Sequence, residues 1–170
     1  MKLFLVYVGG SAKGANIELH DVRFVVGEQM ADTYPQLRQQ WFGDVNGLHL
    51  DSYLHVHHVD GYKIELKREP STRPEKLYFV NCGGYFPNRI PEFHDFTLVV
   101  ASNPEEAKSK GLRQVLNAGL RDSIEPHKDD LMNVDDCLAL DLLDGWHVHL
   151  VTDGQRQRLV PDWAGYEVIG

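Results

Sequence analysis

The apolar positions of this chain fall into runs of two kinds. Residues 3–8 and 77–82 are short, nearly continuous runs of β-favouring side chains, closed by Gly9-Gly10 and Gly83-Gly84, and read as buried strands. Elsewhere apolar and polar residues alternate. Val22, Phe24 and Val26 oppose Arg23 and Val25, which predicts a strand over 20–26, and its counterpart lies at 95–100. Tyr62, Ile64 and Leu66 oppose Lys63, Glu65 and Lys67, the pattern of a strand with one wet face. Asp60-Gly61 joins 52–59 to 62–66, and Asp144-Gly145 joins 137–143 to 146–151. Both dipeptides suit a two-residue hairpin turn.

Two stretches change to helical spacing. The first starts at Asp32 or Thr33, carries Pro35 in its first turn, and runs through Leu37, Trp41 and Phe42 to a stop at Gly43. Trp41 and Phe42 are expected to fill the core beneath it. The second starts at Ser102-Asn103-Pro104-Glu105-Glu106, where Ser102 with Glu105, or Asn103 with Glu106, can form a capping box. It ends near Ala118 and Gly119.

The elements occur twice. Gly9-Gly10 and Glu18-Leu19-His20-Asp21 return as Gly83-Gly84 and Glu92-Phe93-His94-Asp95 at a constant offset of 74 (83 − 9), which grows to 84 (144 − 60) at the hairpin turns. The expected organisation is a first ββαββ unit over 1–67, a linker over 68–75, a second unit over 76–154 with an insertion near 120–134, and a C-terminal extension over 155–170. Units of about 75 residues bury too little surface to stand comfortably alone. They are therefore expected to share a core about a pseudo-two-fold axis, as an α+β fold with helices on one side of an antiparallel sheet. The extension has no counterpart in the first unit and is expected to add or cover an edge strand.

Met1-Lys2-Leu3-Phe4-Leu5-Val6-Tyr7-Val8-Gly9-Gly10, Glu18-Leu19-His20-Asp21 and Val59-Asp60-Gly61-Tyr62 closely resemble the bacterial domain-of-unknown-function family 1543, whose members carry one or two copies of the domain. The resemblance implies a tandem architecture and no particular activity. Trp146 in the tyrosine position and the insertion set the second copy apart.

Composition narrows the function classes. A net charge of −8 argues against a nucleic-acid partner, which would need clustered Lys and Arg. The N-terminal apolar run is too short for a signal peptide core or a membrane span, so no membrane partner is expected. Cys82 and Cys137 have no disulfide or zinc spacing and read as reduced thiols of a cytoplasmic protein. The remaining candidates for a partner are a small ligand and a second copy of the chain. Which cofactor the protein uses is left open by the residues.

The candidate chemistry lies in the repeated motifs. His20, Asp21, His94 and Asp95 could together ligate a metal if the two loops meet near the axis, or each pair could anchor its loop by hydrogen bonds. Successive strand residues point to opposite faces, which favours anchoring. His55 and His57 share a strand face and form a second candidate pair of metal ligands, within a group that includes His49, Asp51 and His58. His147 and His149 form a weaker pair. Gly9, Gly10, Gly83 and Gly84 are expected to permit a positive-φ turn beside a binding site rather than to cradle phosphate, because a strand follows them where a helix N-terminus would be needed. With no catalytic motif present, the favoured reading is a binding or interaction module with a ligand site between the units. The alternative is a metal-dependent, hydrolase-like enzyme built on the His-Asp pairs.

Overall fold

Strand β1 (Lys2–Gly10) is apolar at every position from Leu3 to Val8, and the fold covers both of its faces. Leu3 and Leu5 enter one core, while Phe4, Val6 and Val8 enter another. The computed structural model describes residues 1–85, 89–118 and 132–170. In order, β1 is followed by β2 (Leu19–Gly27), a 3₁₀ turn (Met30–Thr33), α1 (Tyr34–Gln40), β3 (His49–His55), β4 (His58–Val59) and β5 (Tyr62–Lys67). Then come β6 (Lys76–Gly84), β7 (Phe93–Ala101), α2 (Pro104–Ala118), β8 (Met132–Leu140), β9 (Leu142–Leu143), β10 (Trp146–Thr152) and β11 (Trp163–Val168). The insertion expected near 120–134 lies largely outside the described residues. So do positions 86–88 of the loop after Gly84.

All strand pairs are antiparallel, so the α+β class holds, but the strands form three sheets rather than one. Their orders are β11-β3-β1-β2, β7-β6-β8 and β4-β5-β10-β9. The first two face each other across a core that includes Leu3, Leu5, Phe24, Leu77, Leu98 and Val100, and the third contributes Val59, Ile64, Val148 and Leu150 to that core. Helix α1 covers the far face of the first sheet with Leu37, and α2 covers the far face of the second with Ala107 and Val115. The helices therefore lie on the outer faces of two sheets and not together on one side, because β1 and β6 each need a cover on both faces.

The strand expected over 52–59 is broken. Its first part belongs to β3 in the first sheet and its last two residues form β4 in the third. Between them Val56 is buried and donates its N–H to the Leu3 carbonyl (2.9 Å), so the chain crosses between sheets without stranding a backbone group. The matching strand at 137–143 breaks in the same way into β8 and β9. The hairpin turns are as expected: Asp60 and Gly61 have φ of 52° and 88°, and Asp144 and Gly145 have 49° and 74°, the double positive φ of a type I′ turn. Strands β5 and β10 join the halves of the chain, with Glu65 opposite His149 and Ile64 opposite Leu150.

The first helix is shorter than its periodicity suggests. It ends at Gln40, and Trp41 adopts an extended backbone (φ −67°, ψ 131°). The indole then packs onto Gly10 and donates from Nε1 to the Asp44 carbonyl at 3.1 Å. Trp41 is buried as expected, whereas Phe42, now beyond the helix, is exposed. Helix α2 begins where predicted, with the box shared between two residues: Asn103 Oδ1 accepts the Glu106 N–H (2.8 Å), while the Glu106 carboxylate accepts the N–H of Ser102 rather than that of Asn103 (2.9 Å). No helix among the described residues is long and apolar enough to cross a membrane.

Gly111 lies inside α2, where alanine would ordinarily gain about 1 kcal/mol of helix propensity. A Cβ there would sit 2.6 Å from Cγ1 and 2.7 Å from Cβ of Val80, a β-branched side chain with no freedom to retreat. Overpacking decides the sign. Gly111→Ala is expected to lower the unfolding free energy by about 1–3 kcal/mol in a urea titration, and an unchanged or raised midpoint would contradict this packing.

Candidate metal centre

Gly9 is the middle of a row of three residues on neighbouring strands, with His20 of β2 on one side and His49 of β3 on the other. Both imidazoles lean over the glycine. A Cβ at position 9 would lie 2.5 Å from His49 Nε2, 3.0 Å from Asp51 Oδ2 and 3.0 Å from His20 Cδ2. Gly9 and Gly83 have no positive φ. They are extended strand residues, and what they supply is the absence of a side chain, so the expectation of a positive-φ turn is corrected.

Two carboxylates complete the group. Glu18 stands two residues before His20, the spacing that puts both on one face of a strand. Asp51 is the extra residue of a β-bulge, since Tyr7 pairs with Ser52 and Val8 with Leu50. Such bulges re-aim side chains. His20 Nε2 lies 3.5 Å from Glu18 Oε2 and 3.4 Å from Asp51 Oδ2. His49 Nε2 lies 3.3 Å from Glu18 Oε1 and 3.5 Å from Asp51 Oδ1.

His49 is 1 % exposed. Its Nδ1 is 2.9 Å from the Gly47 carbonyl, which can only accept, so Nδ1 carries a proton, and in the neutral ring Nε2 then presents its lone pair towards the carboxylates. Nε2 and the neighbouring Asp51 Oδ2 are both buried without a hydrogen-bond partner. The Tyr166 ring lies over His49 (centroids 4.2 Å apart), and Tyr7 stacks on His20 at 5.4 Å. A buried lone pair aimed at two acceptors is costly unless a cation stands between them.

The second unit repeats the arrangement in part. Gly83 pairs with His94 on one side and Asn133 on the other, and Asp135 is the bulged residue opposite Asn81 and Cys82. His94 Nε2 lies 3.6 Å from Glu92 Oε2 and 3.5 Å from Asp135 Oδ2. Glu18, His20 and His49 form one group with ligand atoms close enough for a single ion, and Glu92, His94 and Asp135 form another.

The profile of the family described as Domain of Unknown Function (DUF1543) matches residues 15–66 and 89–150. The chain belongs to the DUF1543 family. Its two tandem matches agree with two copies of the domain. Among solved structures the chain is similar to protein Il1583 from Idiomarina loihiensis, with 49 % identity, a TM-score of 0.78, and coverage of 99 % of this chain and 98 % of that one. No curated protein matches the chain.

In this DUF1543 chain the His-Asp pairs divide. His20 and His94 enter separate clusters, one in each unit. Asp21 turns away to pair with Arg23 (2.5 Å) and to accept the Val22 N–H (2.8 Å), and Asp95 accepts the Phe96 N–H (2.8 Å). Glu18 and Glu92 stand in the repeated motif without being candidate ligands there, and Asp135 is a site residue that sequence reasoning misses. The signal available for the two glutamates was the repeated Glu-x-His, whose alternate-residue spacing matters more than the adjacent His-Asp.

Cys82 is fully buried, and burial, then Asp135 and Asp95, push its thiol up to about 11. His55 and His57 have ring centroids 5.4 Å apart but join neither cluster. His57 Nδ1 contacts His58 Nδ1 (2.6 Å), and His58 Nε2 contacts Asp153 Oδ2 (2.7 Å). His149 Nε2 donates to the Glu69 carbonyl at 2.7 Å.

A cavity of about 650 Å³ lies where β4, β7, α2 and the segment after β10 meet, lined in part by His58, Asp60, Phe96, Gln114, Arg156 and Arg158. Of the predicted binding residues only Asp95 borders it.

Burial, then the neighbouring His57 and Lys2, hold His55 below the usual imidazole range of 6.5. The unfolded chain therefore takes up this proton first, so the stability tied to neutral His55 is intact above about pH 6.5 and is lost as pH falls. The melting temperature of the wild type minus that of His55→Gln should decrease from pH 7 to pH 5. A constant difference would mean that His55 titrates alike in both states.

Proposed function

We propose that this protein is a divalent-metal-binding module whose first unit holds a transition-metal ion of the zinc type through Glu18, His20, His49 and Asp51. The observation that carries the reading is His49: a buried imidazole whose Nδ1 proton is tied to a backbone carbonyl and whose Nε2, buried without a hydrogen-bond partner, lies 3.3–3.5 Å from carboxylate oxygens of Glu18 and Asp51. A carbonyl behind a ligating imidazole is the usual outer support of a metal-bound histidine.

Spacing and donor chemistry narrow the metal. Glu18, His20 and His49 can each bring one donor atom to a single ion, and Asp51, whose two oxygens lie 3.4 and 3.5 Å from the two imidazoles, stands beside them as the fourth candidate ligand. Two imidazoles disfavour calcium and magnesium, which take oxygen ligands. The absence of thiolate at the site disfavours copper(I). Four protein ligands also resemble a closed structural site more than a catalytic one with an open position, so binding is favoured over hydrolysis.

The wider arrangement supports a two-fold reading of the units. Strands β5 and β10 pair so that Glu65 faces His149, its equivalent 84 residues on (149 − 65), as expected if a pseudo-two-fold axis passes between them. The cavity at the junction of the units is the corresponding candidate for a small ligand.

Protein purified without tag or chelator should carry metal by inductively coupled plasma mass spectrometry. Stripped protein should gain roughly 5–10 °C in melting temperature on adding zinc at about 100 times its dissociation constant. His49→Ala should abolish the gain. Absence of bound metal together with no thermal shift from zinc, cobalt, nickel or manganese would rule the reading out.

A further inference from the structure

The two clusters descend from one pattern, yet their polar atoms are satisfied differently. In the first unit His49 Nε2 and Asp51 Oδ2 are buried and unpartnered. In the second unit the carboxylate corresponding to Asp51 has a donor of its own. Asn81 Nδ2, at the position of Tyr7 in the first unit, approaches Asp135 Oδ2 at 3.5 Å. The Tyr85 phenol, at the position of Ser11, stands beside Glu92, whose charge raises it above its usual range. Asn133 stands in the row where the first unit has His49, and it is exposed. The second cluster thus lacks one imidazole, and Asp135 already has a protein N–H donor.

The C-terminal extension adds a further difference. Strand β11 pairs with β3, with Val168 opposite His49 and Ala164 opposite Ser52, and the pairing bulges between Ala164 and Glu167. That bulge lies opposite Asp51 and carries Tyr166, whose ring covers the His49 imidazole. Among the described residues β8, the equivalent strand of the second unit, has no such neighbour on its outer edge.

Resting on the metal-binding reading, we infer that the chain binds one transition-metal ion rather than two: the first cluster, roofed by Tyr166 of the C-terminal strand, is the site, and the second is closed by its own hydrogen bond. The extension is therefore part of the metal centre. Tyr166 touches a ligand and not the ion, so it acts as a positioning residue that keeps His49 dry and its ring fixed.

The test is zinc titration of stripped full-length protein against a chromophoric chelator, with melting curves in the absence of metal to register folding. The wild type should take up one tight equivalent. His49→Asn, which installs the second unit's residue, and His20→Ala, at a more exposed ligand, should each weaken it at least 100-fold. Tyr166→Ala should weaken it about 10-fold, as loss of an outer support does. His94→Ala should leave it unchanged. Two equivalents of similar affinity, or a loss in His94→Ala equal to that in His49→Asn, would overturn this inference while leaving metal binding intact. Zero equivalents would overturn both.

Discussion

A strand buried on both faces has no polar side to give to water, so β1 and β6 must each be covered twice, and the arrangement of the layers follows. Leu3, Leu5 and Leu77 meet in the shared core, and the side chains between them face outward under α1 and α2. Neither half of the chain could supply both covers for its central strand. Each half brings one helix, and the other cover is the opposite half together with the β4-β5-β10-β9 sheet. The doubling is thus a consequence of burial area: units of this size become adequate only by sharing a core.

The same central strands end in glycine, and there the demand reverses. At Gly9 the sheet stops burying apolar surface and makes room for polar side chains from both neighbouring strands. Ordinary sheet sterics would keep His20 and His49 about two strand spacings apart across a filled position. Removing the Cβ lets them converge, and the bulge at Asp51 turns a carboxylate into the same space. Concentrating two carboxylates with imidazole lone pairs is unfavourable on its own, in a low-dielectric setting especially. A divalent cation would turn that repulsion into attraction, which is the physical reason for proposing a metal there.

Much of the fold was legible in the residues. The Asp-Gly turns, the α2 capping box, the two-sided strands and the tandem units all rest on local chemistry that one sequence displays directly. The number of sheets was not legible, because the crossing at Val56 depends on which partner each half of a strand finds, and no periodicity encodes that. Nor was the end of α1: Trp41 leaves the helix for a hollow at Gly10 that only tertiary packing creates. The site was half legible. The repeated glycines and histidines marked its place, but reading His20 with Asp21 followed adjacency, whereas strand geometry pairs His20 with Glu18. Asp51 stood among the grouped histidines but not beside His20, and Asp135 was hidden altogether, because a bulge shifts register without leaving a sequence signature.

Duplicated units that share a core are constrained differently at their centres and at their rims. Core positions such as Leu5 and Phe79 must complement the other half, so neither copy can change alone at small cost. Rim positions answer only to their own unit and to solvent. His49 and Asn133 occupy equivalent rows and differ, as do Tyr7 and Asn81, and Ser11 and Tyr85, while the hairpin turns remain Asp-Gly in both. Divergence is therefore expected to gather at the ends of β1 and β6, where the clusters lie. The C-terminal strand deepens it, because an element present once among the described residues can cover only one of two equivalent edges. Covering β3 buries His49, and burial raises the cost of leaving its lone pair unmatched. On this argument the asymmetry between the clusters follows from where a single extra strand could dock on a doubled fold.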